Sequence, residues 1–513
     1  MDNTNTIKFL SGDEAVAYGA YRAGCHVAAA YPGTPSTEIL ETIAKFKGEI
    51  NCEWSVNEKV SMEIGIGASI AGARALVAMK HVGLNVAMDP LMTYTYIGVN
   101  GGLVVVSADD PGMHSSQNEQ DNRNLAKFAK AAQFEPTDSQ EAYDMTREAF
   151  ELSERSGAIV FIRLTTRTAH SSSMVDLGSD FAYGNIPVRE YVKNVQKNVA
   201  VPANAKGMRF EAEKRLAALK EEGEKSKFNQ MTIRGTTIGI VTSGVAYGYV
   251  MEHFSEDSVL KLGFSHPLPM DMIRDFASKV DKLYVVEELD PVIRDGIAAA
   301  GVKVEPHKTE LSMMELNPDR IAALHAEIKG GSVATAPAPL TDMPTLPTRP
   351  PVLCAGCSHR GVFHVLSKLG VVVSGDIGCY TLGSAPPLSA IDTTICMGAS
   401  IGAAFGMEKT GLAKKIVAVI RDSTFFHSGM TGLLDCVYNK SSVTVLVLDN
   451  RITGMTGHQE NPGSGKTILG EEAPVANIAE ISRALGVKRV FDVYAYDLPK
   501  LEKTISAELE MKE

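Results

Sequence analysis

Two short polar segments near the carboxyl end of the chain combine residue types that bind hard cations. Asp422 closely follows the apolar run KIVAVI, and Asp449–Asn450 follow the run VTVLVL, with 25 residues between Ser423 and Asp449. That interval is long enough for one crossover helix, so two adjacent parallel strands would present Asp422 and Asn450 side by side. Carboxylate, amide and carbonyl oxygens are ligands that Mg²⁺ accepts while it bridges to phosphates. The spacing therefore predicts a Mg²⁺ and phosphate site at the carboxyl edge of a parallel sheet.

The same residues are also consistent with an ordinary pair of strand ends. Asp and Asn frequently end strands because their side chains hydrogen-bond to the nearby backbone of a turn. The sequence around these residues must therefore decide between a binding site and two unrelated turns.

The elements that must position these residues alternate between strand-like and helix-like patterns. The first region, 1–190, contains the strand patterns CHVAAAYPGTPS and LVVVSADDPG, and a connector with a charged helix follows at 191–230. The second region, 231–330, contains the strand patterns TTIGIVTSG, SVLKLGF and DKLYVVEELD. A Pro- and Thr-rich linker spans 331–350, and residues 351–513 return to a βαβ pattern. The predicted fold class is α/β, with three open, mostly parallel sheets.

The composition of the 513-residue chain is typical of a soluble globular protein. A net charge of −11 argues against a nucleic-acid surface. The first residues, MDNTNTIKFL, lack the basic and apolar stretches of a signal peptide, and no uninterrupted apolar run is typical of a membrane span. Seven cysteines in so long a chain do not indicate a disulfide framework, so we expect a reducing, cytoplasmic setting.

The two polar segments resemble the diphosphate-binding motif of thiamine diphosphate enzymes, which usually reads Gly-Asp-Gly and, after a similar interval, Asn-Asn. Here the two parts read RDS and DN. The resemblance implies that Asp422, Asn450 and the carbonyl oxygen of Ile452 hold Mg²⁺ against the diphosphate. Arg421 replaces a glycine at a point where backbone and diphosphate come close. Its side chain either clashes with the diphosphate or pairs with it through the guanidinium group.

Further stretches, in order along nearly the whole chain, resemble the 2-oxoacid:ferredoxin oxidoreductases. DDPGMHSSQNEQDNR, at 109–123, resembles the branch of that family that acts on indolepyruvate. So many independent stretches make a chance resemblance very improbable. The other stretches are YPGTPS (31–36), RPPVLCAGCSHRG (349–361), GDIGCYTLG (375–383), DTTICMGASIG (392–402) and DNRITGMTGHQ (449–459).

The resemblance implies an activity, a cofactor and partners. In that family the first region binds the aminopyrimidine of thiamine diphosphate, the second resembles the C-terminal domain of transketolases, and the third binds the diphosphate. The expected reaction is oxidative decarboxylation of an aryl 2-oxoacid, by preference indolepyruvate, to an acyl-CoA with reduction of ferredoxin. The expected partners are a small beta subunit, ferredoxin, the aryl 2-oxoacid and CoA, in a homodimer of heterodimers.

Glu58 is the predicted catalytic carboxylate, which in this family contacts the aminopyrimidine. It lies nine residues before Gly67, the spacing that such enzymes use, although Glu63 lies nine residues before Gly72 and competes for the role. Either glutamate is also a natural solvated helix residue. Thr34 matches a family threonine near the substrate carbonyl, where a hydroxyl stabilises developing negative charge. It is equally natural as the N-cap of the helix that follows.

The family motifs also imply a set of cofactor contacts and an iron–sulfur cluster. Cys354 and Cys357 form a Cys-x-x-Cys pair, and Cys379 matches the third ligand of a [4Fe–4S] cluster in relatives. Thiolates at this spacing suit zinc as well. Beyond the Mg²⁺ ligands, the expected cofactor contacts are Ser423, Gly378, Cys379, Met397, Met455 and Thr456.

The fourth cluster ligand has no clear candidate. The family position lies beyond Cys436, after which no cysteine occurs, and the Cys-rich ferredoxin-like module of relatives is not among the 513 residues. A truncated chain and a naturally short paralogue are both consistent with this. Cys396 and Cys436 are conceivable substitutes, but their apolar settings predict core positions. Two alternative functions follow: a non-oxidative thiamine-dependent 2-oxoacid decarboxylase, and a non-catalytic paralogue in which Arg421 blocks the diphosphate.

Two further signals near the predicted site are weaker. The segment NPGSGKT, at 461–467, lacks the glycine at Glu460 and the preceding strand that a phosphate loop requires. His458 follows a turn and is predicted to orient substrate, whereas His427 is predicted to be a helix-start residue.

Overall fold

The strands that the apolar runs predict are present, and they lie in two separate units. A computed structural model describes residues 6–331, residue 347 and residues 349–511. The two units are Met1–Pro337 and Ala338–Glu513. The predicted linker, 331–350, falls almost entirely outside the described residues and stays a prediction, as do the other predicted domain boundaries.

The strands of the first unit include those predicted from CHVAAA, LVVVSAD, TTIGIVT, SVLKLGF and DKLYVV. Their apolar, β-branched runs are the reason they form buried strands. In chain order the strands are β1 (Ile7–Ser11), β2 (Val27–Ala30), β3 (Asn51–Trp54), β4 (Ala75–Lys80), β5 (Leu103–Asp109), β6 (Ala132–Phe134), β7 (Val160–Thr165), β8 (Ser172–Asp176), β9 (Asn229–Thr232), β10 (Ile238–Thr242), β11 (Ser258–Leu262), β12 (Phe264–His266) and β13 (Lys282–Val286).

These strands form two mostly parallel sheets and one two-stranded ribbon. The larger sheet has the order β12-β6-β7-β5-β4-β2-β3, in which β12 alone is antiparallel to its neighbour. The smaller has the order β13-β10-β11-β9, with β9 antiparallel, and β1 pairs with β8 in the ribbon. Through β12, the predicted second region contributes a strand to the sheet of the first region. This short strand covers an edge of the sheet that would otherwise be open to further pairing.

Helices connect the parallel strands, as crossovers between parallel strands require. The charged connector forms the long helix that its sequence predicts. The helices of the first unit are α1 (Gly12–Arg22), α2 (Thr37–Ile43), α3 (Glu58–Ile70), α4 (His81–Ile97), α5 (Arg123–Ala129), α6 (Ser139–Ser156), α7 (Thr166–His170), α8 (Val195–Asn198), α9 (Pro202–Lys225), α10 (Ala246–His253), α11 (Met270–Ala277), α12 (Val292–Ala299) and α13 (Pro318–Lys329).

The second unit is a three-stranded parallel sheet with helices. Its strands, β14 (Val372–Ser374), β15 (Ile416–Arg421) and β16 (Thr444–Leu448), are paired in that order. The predicted crossover helix is present between β15 and β16, with one π-helical segment, 425–429, inside it. The helices are α14 (Ser358–Leu369), α15 (Ala399–Lys409), α16 (Asp422–Thr424), α17 (Met430–Tyr438), α18 (Ile478–Ala484) and α19 (Leu498–Leu509), with a 3₁₀ turn at Cys379–Ser384.

The central strand β15 is apolar from Ile416 to Ile420 because both of its faces are buried. Val417 and Val419 pack with Phe363 in one hydrophobic cluster, whereas Ala418 and Ile420 lie in a second cluster on the opposite face. Successive side chains of a strand point to opposite faces, so a strand covered on both sides reads as a continuous apolar run. The run ends where the chain leaves the sheet and becomes polar.

The long uncharged stretch 90–108 is not a single apolar helix but the second half of α4 followed by β5. The helix α4 ends at Ile97 and β5 begins at Leu103. Within residues 6–331 and 349–511, no helix combines the length and the apolar character that a bilayer crossing requires.

Candidate active site

The second unit brings Asp422 and Asn450 to the same edge of its sheet. Arg421, the last residue of β15, is paired in register with Leu448, the last residue of β16. The polar residues that follow the two strands therefore emerge next to each other, as the sequence spacing predicted. This is the carboxyl edge of a parallel sheet, where ligands bind in open α/β folds.

Asp422 is fully buried and is held by two nitrogen donors. Its Oδ2 accepts hydrogen bonds from the backbone N–H of Ile452 at 3.1 Å and from Nδ2 of Asn461 at 3.2 Å. Burial raises the pKa of Asp422, and the neighbouring guanidinium of Arg421 opposes that shift. Two hydrogen bonds and one nearby cation leave the carboxylate fixed in position, with Oδ1 turned toward Asn450.

The three predicted Mg²⁺ ligands converge. One atom of the Asn450 side-chain amide lies 3.0 Å from Asp422 Oδ1 and 3.1 Å from the carbonyl oxygen of Ile452. With the amide nitrogen in that place, both contacts are ordinary hydrogen bonds. With the amide oxygen there, three oxygen atoms face one another, which is the ligand set of a hard cation. The residues present therefore fit Mg²⁺, which would be held by Asp422, Asn450 and Ile452.

Arg421 lies inside this group of ligands and not in solvent. Its side chain is 2% exposed, and its Nη2 donates to the Ile452 carbonyl at 2.6 Å and to the Ser423 hydroxyl at 3.3 Å. Nη1 donates to the Cys379 sulfur at 3.1 Å, and Nε lies 3.4 Å from Asp422 Oδ1. The guanidinium thus contacts the same carbonyl oxygen that the ion would use.

The segment with Gly378 and Cys379 is placed beside the site by Asp376, which the sequence analysis did not single out. The buried carboxylate of Asp376 accepts backbone N–H groups of Ile377, Gly398 and Ser400 at 2.8, 2.9 and 3.0 Å. It therefore ties the segment after β14 to the start of α15, where Met397 also lies. The signal that could have found it is the Asp that follows the apolar strand in VVVSGD, just as Asp422 follows β15.

Glycine is required where this segment approaches the π-helical turn. Gly398 has φ +85°, and a Cβ atom on it would lie 2.5 Å from the Cβ of Ser428. A side chain at this position is excluded both by the backbone conformation and by the lack of space. The loop that carries Met397 therefore packs directly against the helix that begins at Asp422.

Met455 and Thr456 lie in the loop after Ile452. Thr453 and Gln459 close this loop through a backbone hydrogen bond of 2.9 Å, and Thr456 donates to the Gln459 side chain at 2.5 Å. Met455 is exposed, and so is His458 within the same loop. His427, in contrast, is buried in the π-helical segment 425–429 and does not begin a helix, because the helix already starts at Asp422.

Asn461 is a site residue that the sequence analysis missed. It lies in NPGSGKT, the segment that fails as a phosphate loop, and it reaches Asp422 through its side-chain amide. Its own Oδ1 accepts the N–H of Gly463 at 2.8 Å, which fixes the amide orientation. The asparagine was not predictable from spacing, because a loop and not a strand carries it.

The cysteines occupy different environments. Cys354 is exposed and Cys357 and Cys379 are partly buried, while Cys436 is buried as predicted. Within residues 6–331 and 349–511, Cys354, Cys357 and Cys379 do not form a group within the 4.8 Å that a single ion requires. A four-iron cluster is larger than one ion, so the iron–sulfur prediction stays a prediction. The core position expected for Cys396 is wrong: it is exposed, because it precedes α15 in an irregular loop.

In the first unit, Glu58 is the buried member of the two competing glutamates. It begins α3, which Asn57 caps by accepting the N–H of Val60 at 2.9 Å, and it is 5% exposed. Glu63 is exposed and forms an ion pair with Lys59 on the same helix. A buried carboxylate interacts more strongly with a neighbouring group than a solvated one, so burial favours Glu58.

Thr34 lies in a turn between β2 and α2 and is half-buried. Its interpretation as an N-cap is wrong, because the turn closes first through a Gly33 carbonyl to Ser36 N–H bond of 2.8 Å. The helix therefore starts at Thr37, and Ser36 is its N-cap. This leaves the Thr34 hydroxyl without a capping role.

Lys80 and His81 lie near the turn that carries Thr34, and the sequence analysis did not identify them. They lie where β4 meets α4, with the Lys80 side chain against Gly33. Burial lowers the pKa of Lys80 to about 8, although Asp110 and Glu58 favour its charged form. Burial also lowers the pKa of His81. This part of the first unit thus holds the buried carboxylate of Glu58 and a partly buried amine, Lys80, of weakened basicity.

Comparison with known proteins extends these observations. A family model described as "Pyruvate flavodoxin/ferredoxin oxidoreductase, thiamine diP-bdg" matches residues 18–204, and one described as "Thiamine pyrophosphate enzyme, C-terminal TPP binding domain" matches residues 376–513. The first range includes Thr34 and Glu58, and the second includes Asp422 and Asn450.

Curated relatives match nearly the whole chain. The indolepyruvate oxidoreductase subunit IorA of Pyrococcus abyssi is 40% identical, over 98% of this chain and 83% of the relative. The subunit of the same name from Archaeoglobus fulgidus is 40% identical, over 96% of this chain and 82% of the relative. A solved 2-oxoglutarate:ferredoxin oxidoreductase from Magnetococcus marinus has a TM-score of 0.51 at 19% identity, over 59% of this chain and 61% of that one. At that identity the structure shows the fold alone.

The matched domain models and the curated relatives define a thiamine diphosphate-dependent 2-oxoacid oxidoreductase. The predicted α/β fold class is therefore confirmed, and the matched domain models support thiamine diphosphate as the cofactor. Within that class, the chain belongs to the family of the indolepyruvate oxidoreductase subunit IorA. The resemblance that the motifs indicated is confirmed as well.

Proposed function

We propose that the chain is the catalytic large subunit that converts an aryl 2-oxoacid, by preference indolepyruvate, and CoA to an acyl-CoA and CO₂. The two electrons released pass one at a time to ferredoxin. The observation that carries this proposal is the convergence of Asp422, Asn450 and the Ile452 carbonyl at one sheet edge. The names of the relatives support the choice of an aryl 2-oxoacid.

The proposed Mg²⁺ site uses Asp422, Asn450 and Ile452, and the side-chain amide of Asn461 donates a hydrogen bond to the Asp422 carboxylate. Mg²⁺ keeps an octahedral shell and usually takes only a few ligands from the protein, with the rest from phosphates and water. Three oxygen atoms at a buried edge match that requirement. Met397, Met455, Thr456, Gly378 and Ser423 remain proposed cofactor contacts, on the strength of the family motifs.

The proposed role of Arg421 is to accommodate the diphosphate. A carbonyl oxygen has two lone pairs, so Ile452 can accept from Arg421 and still face an ion. The guanidinium is also a favourable partner for diphosphate oxygens. The contact with Ser423 places the Arg421 guanidinium beside the start of the helix that begins at Asp422. A diphosphate would meet backbone N–H groups at such a helix start.

Glu58 and Thr34 are the proposed catalytic residues. When bound, thiamine diphosphate supplies the carbanion chemistry of decarboxylation. Glu58 would hold a proton at the aminopyrimidine ring, and its burial supports that role because a buried carboxylate interacts more strongly than a solvated one. Thr34 would donate its hydroxyl hydrogen to the substrate carbonyl oxygen, where negative charge develops.

Electrons would leave through a [4Fe–4S] cluster on Cys354, Cys357 and Cys379, with the fourth ligand still to be identified. The hydrogen bond from Arg421 to the Cys379 sulfur supports a link between the cofactor edge and the cluster. Hydrogen bonds to cluster sulfurs shift the reduction potential. A small beta subunit, and a homodimer of the resulting heterodimer, complete the proposed enzyme.

The experiment is a rate measurement on the purified complex of this chain with its small subunit. Indolepyruvate, phenylpyruvate, pyruvate and 2-oxoglutarate are compared, with CoA and oxidised ferredoxin. The proposal predicts CoA-dependent ferredoxin reduction, fastest with the aryl substrates. Aldehyde formation without an electron acceptor would instead support the non-oxidative decarboxylase.

The position of Arg421 favours one second candidate, a paralogue that does not bind the cofactor. The guanidinium occupies the Ile452 carbonyl and lies near Asp422, both of which the ion needs. Arg421→Gly decides between the two, with Arg451→Gly, an exposed arginine on the same edge, as the control. If wild-type protein fails to bind thiamine diphosphate with Mg²⁺ while Arg421→Gly binds it, the second candidate is correct.

A further inference from the structure

Three metal-ligating side chains from separate helices meet in the first unit, and none belongs to the proposed active site. Asp13 lies in the first turn of α1, Glu38 in the first turn of α2, and His170 is the last residue of α7. One ligand atom of each lies within 4.8 Å of the other two. The His170 Nε2 and Glu38 Oε2 atoms are 3.7 Å apart.

Asp13 is the unusual member of this group. Its side chain is fully buried, and among the described residues neither carboxylate oxygen has a hydrogen-bond partner. Oε2 of Glu38 is buried without a hydrogen bond in the same way. Unpaired buried carboxylate oxygens are costly, and two facing carboxylates also repel each other. Such an arrangement persists only if something positive lies between them.

A proton and a metal ion are the two species that could stabilise the pair. Burial and the nearby Glu38 raise the pKa of Asp13 well above its ordinary value, which is consistent with a proton on Asp13. The His170 imidazole, whose Nε2 lies 3.7 Å from Glu38 Oε2, lowers the pKa of Glu38, so a proton alone would leave neutral Asp13 beside a Glu38–His170 pair. A metal ion would use all three ligand atoms, and only His170 and Glu38, which are partly exposed, need to adjust.

We propose that Asp13, Glu38 and His170 bind a divalent transition-metal ion, with Zn²⁺ as the best match. An imidazole nitrogen with two carboxylate oxygens suits Zn²⁺, whereas Mg²⁺ prefers ligand sets made only of oxygen. The solvent-exposed side of Glu38 and His170 gives water access to the fourth position. The ion would join α1, α2 and α7.

The site bears on the loop that carries Thr34. The helix α2 begins at Thr37, directly after the turn at Thr34, and Glu38 is the second residue of that helix. A metal ion at Glu38 would fix the start of α2, and with it the end of the turn. The site itself does not depend on the cofactor or on the proposed reaction.

The test is Zn²⁺ binding to the full-length chain. Metal-free protein is titrated with Zn²⁺ and, in a separate experiment, with Mg²⁺ by calorimetry, and thermal unfolding is recorded with and without Zn²⁺. Because cysteines elsewhere also bind Zn²⁺, the comparison is between wild type, Asp13→Asn and His170→Gln. Glu63→Gln, which changes an exposed carboxylate of the same unit, is the matched control.

The proposal predicts that wild type and Glu63→Gln bind one more Zn²⁺ than Asp13→Asn and His170→Gln, or that both variants bind that ion roughly a hundredfold more weakly. Zn²⁺ should raise the unfolding temperature of wild type more than that of either variant. Equal stoichiometry and affinity in all four proteins would overturn the proposal and leave the proton on Asp13 as the explanation. Binding of Mg²⁺ as tight as that of Zn²⁺ would overturn the choice of metal. If Asp13→Asn does not fold, His170→Gln decides, since its side chain is partly exposed.

Discussion

The side chain of Glu58 packs against Gly83 of the neighbouring helix α4, where only a glycine leaves room for it. A Cβ atom on Gly83, in the first turn of α4, would lie 2.5 Å from Glu58 Oε1, 2.7 Å from its Cγ and 2.9 Å from its Cδ. Such distances are too short for carbon or oxygen contacts, so one partner must move. The Glu58 side chain is the flexible partner. Gly83→Ala should therefore displace the carboxylate without removing it.

The expected effect on catalysis is much larger than the effect on stability. Alanine is favoured over glycine inside a helix by about 1 kcal/mol, while forcing Glu58 out of its rotamer costs about 0.5–1.5 kcal/mol. These terms nearly cancel in the free energy of unfolding. Misplacing a catalytic group by about 1 Å costs roughly a hundredfold in rate, or about 2.7 kcal/mol in the activation barrier.

The assay is kcat for 2-oxoacid-dependent reduction of an electron acceptor by the complex, with thermal unfolding recorded on the same samples. Gly248→Ala is the matched control, because Gly248 is likewise the third residue of its helix and a Cβ there would meet nothing within 4 Å. We expect Gly83→Ala to lose roughly a hundredfold in kcat at an unchanged unfolding temperature. Full activity in a Gly83→Ala protein that unfolds at the wild-type temperature would refute the role of Glu58.

Two further predictions concern stability and metal binding. Burial raises the pKa of Glu288 from 4.5 to about 7, so the folded chain binds this proton more tightly than the unfolded chain. The free energy of unfolding should therefore fall by up to about 3 kcal/mol as the pH rises from 4.5 to about 7. Glu288→Gln should unfold at a higher temperature than wild type at pH 8 but not at pH 4.5. Equal unfolding temperatures of the two proteins at both pH values would contradict this. Asn461→Ala removes a hydrogen-bond donor to Asp422 and should raise the Mg²⁺ concentration needed for thiamine diphosphate binding by roughly tenfold. Titration of the cofactor at several Mg²⁺ concentrations measures this. An unchanged Mg²⁺ requirement would mean that Asn461 does not support the site.

The strands and one edge of the site were predictable because their causes are local. Apolar runs such as that of β15 form buried strands, and the interval between two such runs fits a crossover helix. Parallel strands end at the same edge, so the meeting of Asp422 and Asn450 follows from sequence order and spacing. The family motifs also indicated the fold class correctly.

Other parts of the site depend on contacts between distant segments and carry no local signal. The sequence analysis placed Arg421 near the diphosphate but did not show which protein atoms its side chain contacts, since arginine is rarely buried without partners. Its burial results from Cys379 and the Ile452 carbonyl, which lie 42 and 31 residues away in sequence. Asn461 reaches Asp422 from an irregular loop, and β12 joins a sheet whose neighbouring strand, β6, is distant in sequence.

The cluster of Asp13, Glu38 and His170 illustrates the same limit. Metal-ligand spacing is recognisable in a sequence only when the ligands share a helix or a short loop. Here each ligand belongs to a different helix. In chain order α1 precedes β2, whereas α7 follows β7. Only the folded chain shows that the three side chains meet.

The most direct test of the central claim measures thiamine diphosphate binding to the full-length chain with and without Mg²⁺. Calorimetry on wild type, Asp422→Asn and Asp449→Asn compares the buried carboxylate with its exposed neighbour at the end of the adjacent strand. We predict that wild type and Asp449→Asn bind the cofactor roughly a hundredfold more tightly with Mg²⁺, and that Asp422→Asn loses this dependence. Binding that does not depend on Mg²⁺ in wild type, or a full Mg²⁺ effect in Asp422→Asn, would contradict the assignment of this edge as the diphosphate site.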